Sequence, residues 1–436
     1  MSQSTTRLKQ GPLVPVKTLR VEVLKGPDRG RTIETDEETL SIGTADGNAL
    51  QLEDATVSRF HLELARGPEG IVVTDLGSSN GTFVGSARID RGVIPAGTEL
   101  VIGHTRLVAR EGSGAAVELY AEGELDELKG GTEIMRRLMV QVSTAARSSA
   151  PVLVFGESGT GKEVVARALH DHSARAAGPF VTLDCGSLAP NLVASELFGH
   201  ERGAFTGAER QHIGAFERAD KGTLFLDEIG ELPPELQPQL LGALERRRFR
   251  RVGGRQEVAV DVRIVGATNR DLRADVNKGA FRLDLYYRLA VVVLRIPPLR
   301  ERSADIPLLV EHFLREAGYA GSVDTIISPE NLASLVAHRW PGNVRELRNW
   351  VEATLAMGES PELTASEAPP ADDEGSKLLE LPYKDARRIL LDQFEKRYLK
   401  HIIEASRGNV AMAARRAQMD RTYLIKLIQR HALRPR

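Results

Sequence analysis

Residues 152–163 read VLVFGESGTGKE, and few folds accommodate such a stretch. Four apolar residues of strand length run into Gly156, Glu157, Ser158, Gly159, Thr160, Gly161 and Lys162, and a helical pattern follows. Glycines let a loop wrap tightly enough for successive backbone N–H groups to converge on one set of phosphate oxygens. The N-terminus of the following helix adds its positive dipole end, and a lysine at Lys162 reaches the terminal phosphates. In a chain with 40 glycines the bare spacing is weak, and the strand–loop–helix context gives it force. Glu163 stands where many phosphate loops put a Ser or Thr to bind Mg²⁺, so a metal would need another ligand.

The surrounding chain supplies one. Residues 222–230, GTLFLDEIG, form an apolar strand ending in Asp227 and Glu228. Asp227 would hold Mg²⁺ directly or through water, and Glu228 would polarise an attacking water. A third apolar strand, RIVGATN, ends in Thr268 and Asn269, whose polar groups suit sensing of a γ-phosphate. FRLDLYYRL carries Arg282 and Arg288 nearly two helical turns apart, cations suited to stabilising charge on a phosphoryl group held by a neighbouring subunit.

At 436 residues the chain is long for one core and predicts two to four domains. Residues 18–112 are short β-like runs separated by Gly, Asp and Asn clusters, which predicts an all-β sandwich. Residues 111–131 read as a linker running into a helix. Over 125–358 strands alternate with helical stretches, the pattern of an α/β domain on a parallel sheet. Residues 359–377 are acidic and rich in Pro, Ser and Ala, and read as a disordered linker. Residues 378–436 read as helical and basic: 377–436 holds fifteen Lys or Arg against six Asp or Glu, a charge of +9 in a chain whose net charge is −2. Cys185 is the only cysteine, which excludes an intramolecular disulfide and reads as a small buried residue rather than a nucleophile. With no membrane-length apolar run and no signal-peptide core at the N-terminus, the expected location is the cytoplasm, with no membrane partner.

With these residues in place, ELFGHERGAFTGA at 196–208 resembles the surface-loop signature of sigma-54-dependent transcription activators, a branch of the AAA+ ATPases. FRRVGG, IPPLRER, DIPLL and WPGNVREL extend the resemblance over about 127–357. It implies a multidomain chain: an all-β sandwich, an α/β AAA+ ATPase with a helical lid, and an all-α helix–turn–helix. It implies ATP and Mg²⁺ as cofactors and a homo-oligomer, from dimer to hexamer, with ATP at subunit boundaries. Arg282 and Arg288 become arginine-finger candidates acting in trans, and Arg345 a second nucleotide sensor. The loop Gly203, Ala204, Phe205, Thr206, Gly207 and Ala208 would engage sigma-54 RNA polymerase, led by Phe205 and Thr206. Asp184 stands where many relatives carry an Asn that holds the water-activating Glu; a charged Asp there would repel Glu228.

Residues 407–433 read as helix–turn–helix, with Asn409 and Asp420 as caps, and resemble the Fis-type module ending many such activators. Arg421, Thr422, Tyr423 and Lys426 would face a major groove of double-stranded DNA, and Arg415, Arg416 and Arg430 its phosphates. A small helical dimerisation module is the alternative. Residues 18–110 resemble a forkhead-associated (FHA) domain through Ser41-Ile42-Gly43, the run 57–61 and LGSSNGT at 76–82. That implies a phosphothreonine protein or a Ser/Thr kinase as partner, contacted by Ser58, Arg59, Ser79 and Asn80, with His61 as a buttress. Thr44 occupies the place of the family's phosphate-gripping Arg, which keeps a pure interaction domain or an internal brake open beside phosphothreonine binding. The chain as a whole reads as an ATP-dependent activator that remodels sigma-54 polymerase under FHA control, or as a DNA-binding regulator whose ATPase domain only scaffolds oligomers.

Overall fold

The computed structural model describes residues 10–363 except 68, 188, 189 and 362, together with 406, 412, 416 and 419. By its contacts the chain divides into two compact units, Met1–Leu363 and Thr364–Arg436. The helix–turn–helix expected over 378–436, with its base-reading residues Arg421, Thr422, Tyr423 and Lys426, and most of the expected linker over 359–377 lie outside the described residues.

The first unit begins with the expected sandwich. One sheet has the strand order Arg91–Ile94, Gly70–Asp75, Leu62–Gly67, Thr39–Gly43, Leu50–Gln51. The other runs Thr32–Thr35, Leu19–Lys25, Thr105–Glu111, Glu99–Ile102, Thr82–Val84, Ala87–Ile89. Alternation along the strands decides the core. Leu19, Val21 and Val23 from one sheet and Leu62, Leu64 and Val73 from the other are buried in a single apolar cluster, as a period of two requires.

The segment read as a linker is more structured than its composition suggested. Ala115–Tyr120 is a strand paired antiparallel with Gln10–Val16, and Glu124–Leu125 pairs with Leu128–Lys129. The partner of the first pair lies at the far end of the sandwich sequence, so no local pattern announces it.

Beyond it stands a five-stranded, wholly parallel sheet ordered Phe180–Asp184, Thr223–Asp227, Arg263–Thr268, Val152–Phe155, Val292–Arg295. Its central strands are buried on both faces, which is why they read as unbroken apolar runs. Arg263 enters this sheet as a buried cation because its guanidinium donates to the carbonyls of Ala145, Ala146 and Leu169. The helices Ile306–Glu316, Pro329–Ala337 and Asn343–Met357 make the lid around their own apolar core, with Trp340 fully buried. Asp305 joins sheet domain to lid: its carboxylate accepts from the N–H groups of Gly131 and Thr132 and the Thr132 hydroxyl, at 2.7–2.8 Å. Phe225 is fully buried at the sheet centre. Phe225→Ala is expected to cost about 3–5 kcal/mol, read as a lowered midpoint in denaturant unfolding of the chain.

Candidate functional site

The strand Val152–Phe155 delivers the 156–162 loop to the C-terminal edge of the sheet, and the helix Lys162–Asp171 starts directly from it. Gly159 and Gly161 take φ of +77° and +104°, where a side chain is strained. A Cβ on Gly159 would also fall 2.3 Å from the Gly342 carbonyl of the lid, so only glycine lets loop and lid close on each other. The loop borders a cavity of about 480 Å³, ample for a nucleotide by ordinary pocket sizes. Ser158, Gly159, Thr160, Gly161, Lys162 and Glu163 line it, together with Asp227, Glu228 and Arg345. Leu309, Phe313 and Val344 give its lid side an apolar surface.

Lys162 is buried, and its ammonium lies 3.1 Å from the Glu228 carboxylate while donating to the Gly156 carbonyl at 3.2 Å. Glu228 also accepts from the Asn269 backbone N–H at 3.2 Å. The strand Thr223–Asp227 ends in a sharp bend: Glu228 adopts φ +46°, ψ +47°, a left-handed conformation uncommon for a glutamate. That bend aims successive carboxylates in different directions. Burial pushes the Asp227 carboxyl above its ordinary value; the charges of Glu228 and Asp184 add to this, and Lys162 opposes it. A carboxylate held under such strain gains from a cation beside it, so the donor chemistry at Asp227 fits a bound Mg²⁺.

Asp184 lies beside Asp227 in register across the two strands. Its Oδ1 accepts from the N–H groups of Gly186 and Ser187, at 2.8 and 3.2 Å, and so caps its own turn. In this arrangement Glu228 is held by Lys162 and the Asn269 amide. Cys185 is buried and its thiol is pushed up to about 12, first by burial and then by the neighbouring carboxylates, which leaves it inert as a nucleophile.

Not every residue named from sequence lines the cavity. Gly156 forms the loop's base, donating its N–H to the Thr268 carbonyl. Glu157 turns its side chain away from the cavity to Arg300, at 2.7 and 2.9 Å, and to the Asn343 amide at 3.1 Å. Asn269 is exposed at the sheet edge. Arg282 stands at the N-cap position of the helix Leu283–Leu289 without a side-chain cap bond and pairs with Asp284 at 2.7 Å, while Arg288 donates to the Leu244 carbonyl at 3.3 Å. Neither finger candidate borders the cavity of its own chain. Arg345 donates to the Ser158 hydroxyl at 3.3 Å.

The 203–208 loop is a closed turn, with Gly203 N–H donating to the Ala208 carbonyl and Ala208 N–H to the Phe205 carbonyl. Gly203 and Gly207 both take positive φ, and Ala208 is buried at its base. Phe205 is 39% exposed and Thr206 is exposed at the tip. The His200 ring meets the Phe205 ring edge-to-face at 4.9 Å.

On the sandwich, Ser58 Oγ accepts from the Ser79 N–H, and Asn80 donates to the Thr56 carbonyl. Arg59 and Asn80 are exposed. His61 is fully buried, with Nδ1 accepting from the Ser58 N–H at 3.0 Å and Nε2 set 3.2 Å from the Gly81 carbonyl. Burial lowers its basicity, so the neutral ring ties two loops together, as expected of a buttress.

Sequence reasoning missed Asn343, Arg300 and Arg302. Asn343 is fully buried with φ +53°; its side chain accepts from the Leu299 N–H and donates to the Ser158 carbonyl and Glu157. Arg302 donates from beneath the loop to the Thr160 carbonyl. The Trp340-Pro341-Gly342-Asn343 run signals a turn before a helix, but nothing in it names partners about 185 residues earlier. Asn343→Ala is expected to weaken ATP binding about tenfold by leaving the Leu299 amide and the loop carbonyl without partners, measured by titrating the chain with nucleotide.

Residues 128–295 match the family described as the Sigma-54 interaction domain, and residues 300–378 the AAA+ ATPase lid domain. Residues 22–112 match a family described as the inner membrane component of T3SS, cytoplasmic domain. Among the described residues no helix is long and apolar enough to cross a membrane. A Nif-specific regulatory protein of Azotobacter vinelandii is 54% identical over 235 residues, which cover 54% of this chain and 45% of that protein. The chain thus spans about half the length of that relative. The transcriptional regulatory protein ZraR of Escherichia coli is 40% identical over 339 residues, 77% of this chain and 75% of that protein. The solved structure of NtrX from Brucella abortus in complex with ATP is 37% identical, with a TM-score of 0.50 over 72% of this chain and 71% of that one. With a phosphate loop closed under a lid, paired acids at the adjoining strand end and an intact GAFTGA turn, this chain belongs to the sigma-54-interacting AAA+ family of transcriptional regulators.

Proposed function

We propose that the chain is a transcription activator that hydrolyses ATP to remodel sigma-54 RNA polymerase for promoter opening. The observation that carries this is the pairing, in one domain, of a complete nucleotide cavity with an exposed aromatic-tipped 203–208 turn. In the nucleotide site, the amides of 158–162 and Lys162 bind the phosphates, and Arg345 and the apolar lid surface enclose the nucleotide. Asp227 would hold Mg²⁺, which would neutralise phosphate charge. Incoming phosphate competes with Glu228 for the Lys162 ammonium, and the released carboxylate orients the attacking water. Arg282 and Arg288, outside their own cavity, act on the nucleotide of a neighbouring protomer, which makes an oligomer the working form.

Phe205 and Thr206 form the polymerase contact. Two positive-φ glycines flanking the tip let it dock and withdraw as the site cycles. Residues 378–436, basic and with Arg421, Thr422, Tyr423 and Lys426 in a helix–turn–helix pattern, bind double-stranded DNA upstream of the promoter. The sandwich is the FHA-type control domain; Ser58, Arg59, Ser79 and Asn80 are its contacts for a phosphothreonine protein. The chain is expected to act in the cytoplasm.

Glu228→Gln is expected to bind ATP while turnover falls about a hundredfold or more and promoter activation disappears. Normal activation by this variant in a reconstituted transcription assay would show that hydrolysis is not the engine and that the domain only scaffolds oligomers. Thr206→Ala should keep wild-type turnover and lose activation; activation retained would remove the contact role of the turn.

A further inference from the structure

Glu228 is aimed by its backbone, and that backbone is strained. At φ +46°, ψ +47° it lies in the left-handed region, which a glutamate keeps only where its surroundings impose it. Part of the imposition is local. The Glu228 N–H donates to Asp227 Oδ1 at 3.0 Å, the Glu231 N–H donates to the Glu228 carbonyl at 2.9 Å, and Ile229 is fully buried in the short turn Ile229–Glu231. The carboxylate itself is held by the Lys162 ammonium and the Asn269 N–H. In the hydrolysis proposed above, phosphate takes the lysine. The backbone of the turn and the Asn269 amide must then keep the carboxylate in place.

Arg270 fastens those two together. It follows Asn269 directly, and its own N–H donates to the Thr268 hydroxyl at 3.0 Å. Its side chain runs back across Gly230. A Cβ on Gly230 would fall 2.9 Å from Thr268 Oγ1 and 3.2 Å from Arg270 Cδ, so the two turns pack with no side chain between them. Past Gly230 the guanidinium lies 3.2 Å from the Glu231 carboxylate and 3.0 Å from that of Asp275, on the helix Leu272–Asn277. The Asp275 carboxylate, with the charge of Glu231 added, outweighs partial burial and holds Arg270 above the ordinary arginine value. Arg270 does not border the nucleotide cavity, so it reaches the chemistry only through its neighbours. A half-exposed ion pair such as that with Glu231 adds little to folding stability. Its loss bears on where the turn sits more than on whether the domain folds.

We infer that Arg270 is a positioning residue for hydrolysis: it clamps the 228–231 turn onto the strand end that carries Asn269, and so fixes the Glu228 carboxylate against the attacking water. This role rests on the ATP hydrolysis proposed above. Its physical content is precision, since a small displacement of a reacting group costs rate without costing affinity. The planar guanidinium spans two acids at once, which a lysine ammonium does not.

Steady-state ATP turnover by the full chain tests it. Arg270→Ala should lower kcat about tenfold while KM for ATP stays within about twofold of the wild type. Arg270→Lys, able to pair with one acid but not to grip both, should fall between the two. If Arg270→Ala does not fold, Glu231→Gln cuts the same link by neutralising a half-exposed acid and carries the same expectation. The deciding comparison is made on Glu228→Gln, whose slow turnover is read with protein in excess of ATP. Adding Arg270→Ala to it should change the rate by no more than about twofold, because no working carboxylate is left to misplace. A wild-type kcat in Arg270→Ala would overturn the role. So would a KM that rises in step with the loss of kcat, or a further tenfold loss on the Glu228→Gln background. A wild-type chain that turns over no ATP would instead remove the proposed hydrolysis, and the role of Arg270 with it.

Discussion

The 156–162 loop, beyond the Gly156 and Thr160 N–H groups bonded to the Thr268 and Glu157 carbonyls, must turn backbone N–H groups toward a cavity, and most of the ATPase domain follows from that demand. Unpaired amides are costly unless the loop is held from outside. The Thr268 carbonyl holds its first residue, Arg302 and Asn343 hold its middle carbonyls, and Glu157 ties its flank to Arg300. These partners come from the next strand and from the lid. The loop is therefore formed only when sheet and lid close together, and the lid is part of the site rather than a cover over it.

The acids at the neighbouring strand end answer a second constraint. Parallel strands in register bring Asp184, Asp227 and Glu228 to one edge of the sheet, and three negative charges there need separate solutions. Asp184 spends its charge on two backbone amides of its own turn. Glu228 is turned by a left-handed backbone onto Lys162. Asp227 is left with a raised carboxyl that Lys162 only partly offsets, which makes it the group with most to gain from a metal. Asp184 still adds its charge to that pressing on Asp227, and Glu228 is held by Lys162 and the Asn269 amide.

The sandwich and the ATPase domain are joined by a third arrangement of charge. Glu63 sits between two arginines from elements adjoining the sheet's C-terminal edge, and the three loops around it bury apolar residues that their own core does not need. The helices Leu272–Asn277 and Leu283–Leu289 and the sandwich are consequently in contact within one unit.

The sequence by itself determined the elements and the chemistry. The alternation of the sandwich strands, the unbroken apolar runs of the parallel sheet, the glycine spacing of the phosphate loop, the Asp227–Glu228 pair and the 203–208 turn are all local patterns, because each depends on neighbours a few residues away. Tertiary structure decided what those residues do with their spare hydrogen bonds and charges. That Glu157 turns to the lid, that Asn343 holds the loop, that Ala115–Tyr120 pairs with Gln10–Val16, and that Glu63 is buried between Arg273 and Arg295 all join residues roughly 100 to 230 positions apart. A lone acid on an outer strand face or an Asn in a turn reads as solvated until its partner arrives. The partner's position is set by how whole domains pack, which no local period encodes.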